Sequence, residues 1–211
     1  MKKITIALVC MLLTAGTAMA QKKFTFGPKI GVDYTHFWDN EEDASGQFNY
    51  QAGVFLEYRF TDKFSVAPEV VFAAQGAKTK RTIETTYHTN YINVPVMLKW
   101  YVIKPLSIDF GPQLGVNIYS KETIKYIPQE APMLKMIADG TYDIKDLTKT
   151  VDFGVALGLT YNITDEVFVQ GRYTMGMINV FKTDYTSKKF KYGNAQIAIV
   201  SSLHSLNAPI R

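Results

Sequence analysis

The sequence has almost no cysteine, no long hydrophobic run beyond its first residues and little excess of charge. Its single cysteine, Cys10, leaves no disulfide and no cysteine metal site to hold the fold. No run of about 18 apolar residues follows position 20, which excludes a helical membrane protein. The 23 basic and 19 acidic residues give a net charge of only +4, so we expect no nucleic-acid partner. A content of 47% hydrophobic and 13% aromatic residues among 211 excludes disorder.

Residues 1–20 have the pattern of a removable export signal. Lys2 and Lys3 form a basic start, residues 4–13 are apolar, and Ala18 and Ala20 supply the small side chains that a signal peptidase reads. We therefore predict a signal peptide over residues 1–20 and one mature β-barrel domain over residues 21–211. Its removal takes Cys10 away and leaves a net charge of +2.

The hydrophobic pattern beyond residue 24 has a period of two, which is typical of strands with two different faces. In residues 48–60 the apolar side chains alternate with Asn49, Gln51, Glu57 and Arg59. Eight such segments follow one another, near 24–37, 48–60, 64–77, 89–101, 106–119, 150–163, 167–179 and 192–203. The sequence thus predicts an all-β fold.

The connections between these segments alternate in length. Short ones lie at 61–63, 102–105 and 164–166, and long ones at 38–47, 78–88, 120–149 and 180–191. This alternation predicts an eight-stranded antiparallel up-and-down barrel with short turns at one end and long loops at the other. Segments of this length, tilted by roughly 40°, cross the apolar layer of about 25 Å of an outer membrane.

The apolar face distinguishes a membrane barrel from a soluble ligand-binding barrel with the same topology. This face runs through all eight segments and ends in aromatic residues such as Phe26, Phe60, Trp100 and Tyr161, as a lipid-facing surface does. A soluble barrel would keep its apolar face inside. We therefore expect the apolar face to contact lipid, and keep the soluble barrel as an alternative.

Six motifs in the segments resemble a known family of eight-stranded outer-membrane β-barrels, often named porin-family proteins and common in Bacteroidota. They are GPKIGV at 27–32, SVAPE at 65–69, YINVPVMLK at 91–99, FGPQLG at 110–115, DFGVALG at 152–158 and GRYTMG at 171–176. The resemblance covers essentially the whole mature chain and implies a location in the outer membrane of a Gram-negative bacterium. The family has no shared catalytic residues.

The polar face carries nine charged residues that we expect to lie in the barrel lumen. They are Lys29, Asp33, Glu57, Arg59, Glu69, Lys99, Asp109, Asp152 and Arg172. Four positive and five negative charges permit pairing in a narrow interior. We interpret them as a structural charge network that fills the lumen, with a gate or proton path as the alternative.

The hairpin turns predict how some of these charges are placed. A turn centred on Lys104 sets Lys99 opposite Asp109, and we predict an ion pair between them, which Glu69 can join. A turn centred on Asp165 sets Arg172 opposite Gly158, which leaves room for the guanidinium.

No catalytic, cofactor-binding or metal-binding residues are predicted, and we do not expect an enzyme. His36, His88 and His204 are isolated, and none has the serine and acid spacing of an outer-membrane hydrolase. The acidic segment 39–43 is interpreted as a solvated loop tip rather than a calcium site. A short helix is expected at 133–138, within the longest connection.

The leading functional hypothesis is a structural or surface-interaction protein whose barrel anchors its outer loops. A narrow porin-like channel for small solutes or ions is the alternative, ahead of an outer-membrane enzyme. The expected partners are outer-membrane lipid and lipopolysaccharide, and an extracellular or envelope protein that meets the connections 38–47, 78–88, 120–149 and 180–191. We expect a monomer.

Overall fold

The computed structural model describes residues 24–37, 44–80, 83–126, 140–182 and 190–203. The export signal, the acidic segment 39–43, the helix expected at 133–138 and His204 lie outside the described residues. No helix among the described residues is long and apolar enough to cross a membrane.

Nine antiparallel strands account for most of the described residues. They are β1 Phe24–Phe37, β2 Ala44–Arg59, β3 Phe64–Lys80, β4 Ile83–Ile103, β5 Leu106–Tyr126, β6 Gly140–Asp143, β7 Val151–Asn162, β8 Val167–Gly176 and β9 Tyr192–Ser201. A short 3-10 turn at Lys145–Leu147 lies between β6 and β7.

Eight of these strands close into a barrel. The sheet order is β4-β3-β2-β1-β9-β8-β7-β5-β6, and β4 also pairs with β5. The first and last strands pair, with Lys29 opposite Val200, so the eight-stranded up-and-down barrel is confirmed. The strand β6 is an addition that the periodicity did not predict, and it pairs with the outer part of β5.

Parts of three predicted long connections are strand, and the first of them is shortened because β2 begins at Ala44. β3 runs to Lys80, β4 begins at Ile83, and β5 continues to Tyr126. The prediction ended these strands where the apolar alternation stops. Beyond the apolar belt the outward face has no need of apolar side chains, but threonine-rich residues continue the ladder, as in Thr85 opposite Ile124. We call this end of the barrel the outer end, and the end with the short turns the inner end.

The barrel is polar inside and apolar outside. Ile30 and Phe48 on the outward face are 61% and 81% exposed, whereas Lys29 and Asp109 on the inward face are almost fully buried. On β1 the apolar outward row runs from Phe24 to Tyr34. Ten residues at about 3.3 Å each, tilted by roughly 40°, rise about 25 Å, the height of a membrane-spanning apolar belt.

Candidate functional site

The lumen holds most of the charges that the alternation assigned to it. Seven of the nine predicted residues are buried, namely Lys29, Asp33, Glu57, Glu69, Lys99, Asp109 and Arg172. Arg59 and Asp152 are half-buried, near the inner and outer ends of the lumen. The structure distributes these residues over separate clusters rather than one continuous network.

The central cluster is built around Glu69 of β3. Lys29 Nζ on β1 donates to Glu69 Oε2 at 2.8 Å and also to Gln170 Oε1. Arg172 on β8 donates to both carboxylate oxygens of Glu69, at 2.5 and 3.1 Å. Three strands that are distant in sequence therefore meet through one carboxylate that is 4% exposed. Bidentate, charge-assisted bonds of this kind fix geometry as well as contributing energy.

The inner cluster is built around Glu57 of β2. Ser65 Oγ and Tyr101 OH donate to Glu57 Oε1 at 2.7 and 2.6 Å. Lys99 Nζ lies 3.2 Å from Glu57 Oε2. The Arg59 guanidinium stacks on Tyr101, with its carbon 4.0 Å from the ring centroid. The cluster thus ties β2, β3 and β4 together near the short turns.

The predicted ion pair between Lys99 and Asp109 is wrong, although the predicted register is confirmed. The two residues lie directly opposite each other on β4 and β5. Lys99 extends instead to Glu57, while Asp109 accepts hydrogen bonds from Ser107 and Thr160 at 2.6 and 2.5 Å. The short aspartate side chain is satisfied by hydroxyls beside it, and the long lysine side chain reaches a carboxylate two strands away.

The other predicted placements have mixed outcomes. Arg172 lies opposite Gly158 as predicted, and a Cβ at Gly158 would lie 3.2 Å from the Cβ of Arg172. Glu69 belongs to the central cluster and does not join Lys99.

One lumen carboxylate, Asp33, has no hydrogen bond of good geometry, although the Asn194 side chain lies beside it. Thr35 Oγ1, Thr174 Oγ1 and Asn194 Oδ1 are also buried without a partner. Asn194 lies opposite both threonines in the ladders of β9 with β1 and β8. Buried polar atoms of this kind usually bind water.

A small cavity adjoins this group of oxygens. Its lining includes Gln51, Arg172, Asn194 and Gln196, and it has room for about one water molecule. Gln51 donates to Gln196 across the lumen at 2.5 Å. The lumen at this level is therefore polar but filled mainly by side chains.

An apolar cluster closes the outer end of the lumen, and we call it the outer cap. It consists of Phe37, Ala77, Tyr91, Ile144, Val180, Phe181 and Tyr192, with Tyr87 and Phe190 packed against it. The Phe37 and Tyr192 rings stack with centroids 5.0 Å apart, and Phe181 meets Tyr87 edge-on at 5.3 Å.

The outer cap was missed in the sequence, although part of its signal was present. Phe37, Tyr91 and Tyr192 each lie an even number of residues from the polar lumen residues of their own strand. The alternation of a strand therefore predicts that these aromatic side chains face inward. Ile144 and Phe181 come from irregular segments, where the alternation of a strand does not predict which way a side chain faces. They are fixed by the backbone bridge between Thr148 and Phe181.

The histidines that the structure describes lie apart from each other. His36 contacts the Tyr173 hydroxyl at 3.4 Å, and His88 is exposed on β4. Among the described residues no group of three histidines, cysteines or acids is placed to hold a metal ion.

The comparisons with known proteins agree with this architecture. The family model for the outer membrane protein beta-barrel domain matches residues 19–182. No curated protein matches the chain in sequence. The crystal structure of Neisserial surface protein A aligns with a TM-score of 0.53 at 14% identity, covering 84% of this chain and 97% of that one. The attachment invasion locus protein Ail of Yersinia pestis aligns with a TM-score of 0.52 at 10% identity, covering 86% and 99%.

Identities this low show a shared fold, whereas the family match covers more than half of the chain. The match agrees with the apolar outer surface, the polar interior and the closed ladder of eight strands. The chain therefore belongs to the outer membrane protein beta-barrel domain family and is an eight-stranded barrel of the Gram-negative outer membrane.

Proposed function

We propose that this protein is a closed barrel that anchors its outer segments for interaction at the cell surface. The observation that carries the proposal is that side chains fill the lumen at two levels. The central cluster joins Lys29, Glu69 and Arg172 across the middle, and the outer cap covers the outer end. Eight-stranded barrels have interiors just wide enough for side chains to fill.

The outer segments supply the surface that a partner would meet. β4 begins at Ile83, whereas its apolar outward row begins at Ile92. These nine residues extend roughly 23 Å beyond the belt at about 3.3 Å per residue and a tilt of roughly 40°. Together with β3, β5 and β6 they form a sheet that stands above the lipid. We propose that this sheet and the connections 38–47, 120–149 and 180–191 contact an extracellular or envelope protein, with the barrel as a monomer.

A barrel with shortened outer connections tests the interaction role. Removing residues 128–138 and 184–188 leaves every described strand intact. We expect the shortened barrel to retain its heat-dependent gel mobility but to lose adherence of whole cells to a panel of immobilised host-surface and envelope proteins. Equal adherence of cells with the full and shortened barrels would contradict the proposal.

The nine lumen charges are, on this proposal, structural rather than catalytic or conductive. Each full charge at the centre of the lumen has a counter-charge within contact, except Asp33 and Asp109. We propose no catalytic, cofactor or metal site. The alternative of a narrow channel draws support from the unpartnered oxygens near Asp33, which water would satisfy.

Conductance separates the closed barrel from the channel. In planar bilayers we expect the purified wild-type barrel to give no steady ion current, because the central cluster and the outer cap leave no continuous aqueous path. Recovery of heat-modifiable protein from the bilayer lipid confirms insertion. Discrete current steps that change size in Lys99→Met or Arg172→Met would instead establish the channel.

We also propose that export removes residues 1–20. The mass of the protein extracted from outer membranes should equal that of a chain beginning at Gln21, because Ala18 and Ala20 form the peptidase site. Replacing Ala20 with Arg should retain the leader and raise the mass accordingly. A wild-type mass that includes the leader would contradict the proposal.

A further inference from the structure

The two halves of the barrel repeat the same sequence features in the same order. FGPKIGV at 26–32 in β1 matches FGPQLGV at 110–116 in β5, and the two differ at only two positions. GVFL at 53–56 in β2 matches GVAL at 154–157 in β7. The alternation of a strand does not require a proline or these glycines at the same places, so the match goes beyond a shared period of two.

The later strands continue the repeat. TDKFSV at 61–66, which turns into β3, matches TDEVFV at 164–169, which turns into β8. YINVPV at 91–96 in β4 matches YGNAQI at 192–197 in β9. The strands β1 to β4 thus correspond in order to β5, β7, β8 and β9. We call β1 to β4 the first unit and β5 to β9 the second unit, and residues at matching positions counterparts.

The backbone ladders within the two units agree with this alignment. Gly27 of β1 lies opposite Phe55 of β2. Their counterparts in the second unit, Gly111 and Ala156, also lie opposite each other. The ladder of β3 with β4 matches that of β8 with β9 in the same way. Each unit is therefore a pair of hairpins, and corresponding hairpins have the same register.

The two seams between the units are also built alike. The first strand of each unit pairs with the last strand of the other, β1 with β9 and β5 with β4. A Cβ on Gly27 would overlap the carbonyl oxygen of Ser201 across one seam, and a Cβ on Gly111 would overlap that of Val96 across the other. Two copies of one element that join through the same pair of edges form a closed twofold arrangement.

The twofold relation is approximate toward the outer end. Asn93 of β4 lies opposite Gly115, whereas its counterpart Asn194 lies opposite Thr35, which is not the counterpart of Gly115. The connection that follows β5 is also far longer than the one that follows β1. The extra length supplies β6 and the Ile144 of the outer cap, so the two units differ most at this end.

Counterpart residues meet across the lumen, as residues close to a twofold axis do. Glu69 corresponds to Arg172, and these two side chains form the bidentate contact of the central cluster. Tyr91 corresponds to Tyr192, and their rings meet edge-on in the outer cap with centroids 6.4 Å apart. Two asparagines that line the small cavity are counterparts as well. The axis that relates the units therefore runs along the lumen.

We propose that the barrel consists of two copies of one four-stranded unit, each the partner of the other along the two seams, and that Glu69 and Arg172 determine which units combine. In a barrel of two identical units the position of Glu69 would carry the same residue twice, and two carboxylates or two guanidiniums would meet at the axis. Like charges repel strongly where little water separates them. Opposite charges at counterpart positions therefore favour the pairing of unlike units.

Exchanging charges between counterpart positions of the full-length chain tests the proposal. Glu69→Arg with Arg172→Glu inverts the central pair but leaves Lys29, which contacts Glu69 in the wild type, against the new arginine. We expect the urea midpoint in detergent to fall. Adding Lys29→Gln with Gln113→Lys moves the lysine to its counterpart position, and residues 113 and 172 already line the same cavity. This fourfold variant should recover at least half of the lost midpoint, because each charge regains a counter-charge.

A matched control moves the lysine to a position that is not a counterpart. Gln75→Lys replaces Gln113→Lys, with the other three changes kept, so that the same lysine lies at another buried lumen position, on β3. The urea midpoint of this variant should stay at or below that of the charge exchange without the lysine transfer. Gel mobility before and after heating reports whether each variant folds.

A second measurement compares the two seams without changing any charge. Gly27→Ala and Gly111→Ala should lower the urea midpoint by similar amounts, because each glycine packs against a backbone carbonyl of the other unit. Gly171→Ala is the control, since the space around its Cβ is open, and it should leave the midpoint unchanged.

Three results would overturn the proposal. A fourfold variant that is no more stable than the charge exchange alone, or that fails to refold, would show that positions 29 and 113 are not equivalent. Equal recovery with the lysine at position 75 would show that any lumen lysine is sufficient. A loss of stability in only one of Gly27→Ala and Gly111→Ala would show that the two seams are not alike.

Discussion

Replacing Glu69 with leucine should destabilise the barrel more than any other single change in the lumen. Glu69 is the carboxylate that both Lys29 and Arg172 contact, at 2.8 and 2.5 Å. Its loss leaves two buried cations without a counter-ion, and breaking a buried ion pair in this way costs about 3–5 kcal/mol. Urea unfolding of the refolded barrel in detergent measures the change in the free energy of unfolding.

Two further variants isolate the charge from the change in shape. Glu69→Gln keeps nearly the same volume and should still cost more than about 2 kcal/mol, because it removes the negative charge and places an amide N–H group, a donor, against the donors of Lys29 or Arg172. The triple change Lys29→Met, Glu69→Leu and Arg172→Met should be milder than Glu69→Leu alone, because no charge remains uncompensated. Glu166→Gln, in an exposed inner turn, is the control for loss of a carboxylate.

The stabilities of these variants also distinguish a closed lumen from a channel. If water filled the lumen, it would solvate whichever charges remained, and all these variants would stay within about 1 kcal/mol of the wild type. That result would refute the closed lumen and favour the channel. A large loss of unfolding free energy in Glu69→Leu, partly restored in the triple variant, would support the closed lumen.

The face of most residues in the regular strands could be predicted from the sequence, because a strand has a period of two and one side of this barrel meets lipid. Lys29, Glu69 and Arg172 were assigned to the lumen on this basis. Registers across the short turns were predictable as well, as for Lys99 opposite Asp109. Short turns fix register because they leave few ways to join two strands.

Contacts across the lumen could not be predicted in the same way. The central cluster joins β1, β3 and β8, and their relative heights depend on how the barrel closes between β1 and β9. This stagger is a property of the whole ladder and of the barrel's shear. A β-bulge in β5 is a further example. Tyr91 pairs with Asn117 but Asn90 pairs with Tyr119, so Ile118 is an extra residue, and alternation alone predicts the wrong face for Lys121.

The outer cap depends on segments with no periodicity. Phe181 follows β8 in an irregular stretch, and its position is set by the bridge to Thr148 and by the backbone bond from Lys182 N to Leu147 O. Neither bond has a signature in the sequence. The cap therefore became evident only from the structure, although it provides one of the two closures on which the proposed function rests.

A double-mutant cycle should show that Lys99 is coupled more strongly to Glu57 than to Asp109, the residue opposite it in the ladder. Lys99 Nζ lies 3.2 Å from Glu57, whereas Asp109 is satisfied by Ser107 and Thr160. With Lys99→Met and Glu57→Gln we expect a coupling energy of about 1–3 kcal/mol, the range for residues that share a network. With Lys99→Met and Asp109→Asn we expect a coupling energy below about 1 kcal/mol, because the two charges face each other in the ladder but form no direct contact.

The two cycles share the Lys99 variant, so each serves as the control for the other. Glu57→Gln and Asp109→Asn both replace a buried carboxylate by an amide of similar volume, which keeps changes in packing small. Glu57→Gln should be the more destabilising of the two, because it leaves the Lys99 ammonium without its contact, whereas Asp109→Asn still accepts bonds from the neighbouring hydroxyls. Equal coupling energies in the two cycles would show that the Lys99 ammonium interacts equally strongly with the carboxylates of Glu57 and Asp109. The inner cluster would then extend through Asp109 to β7, and the lumen charges would form one network rather than separate clusters.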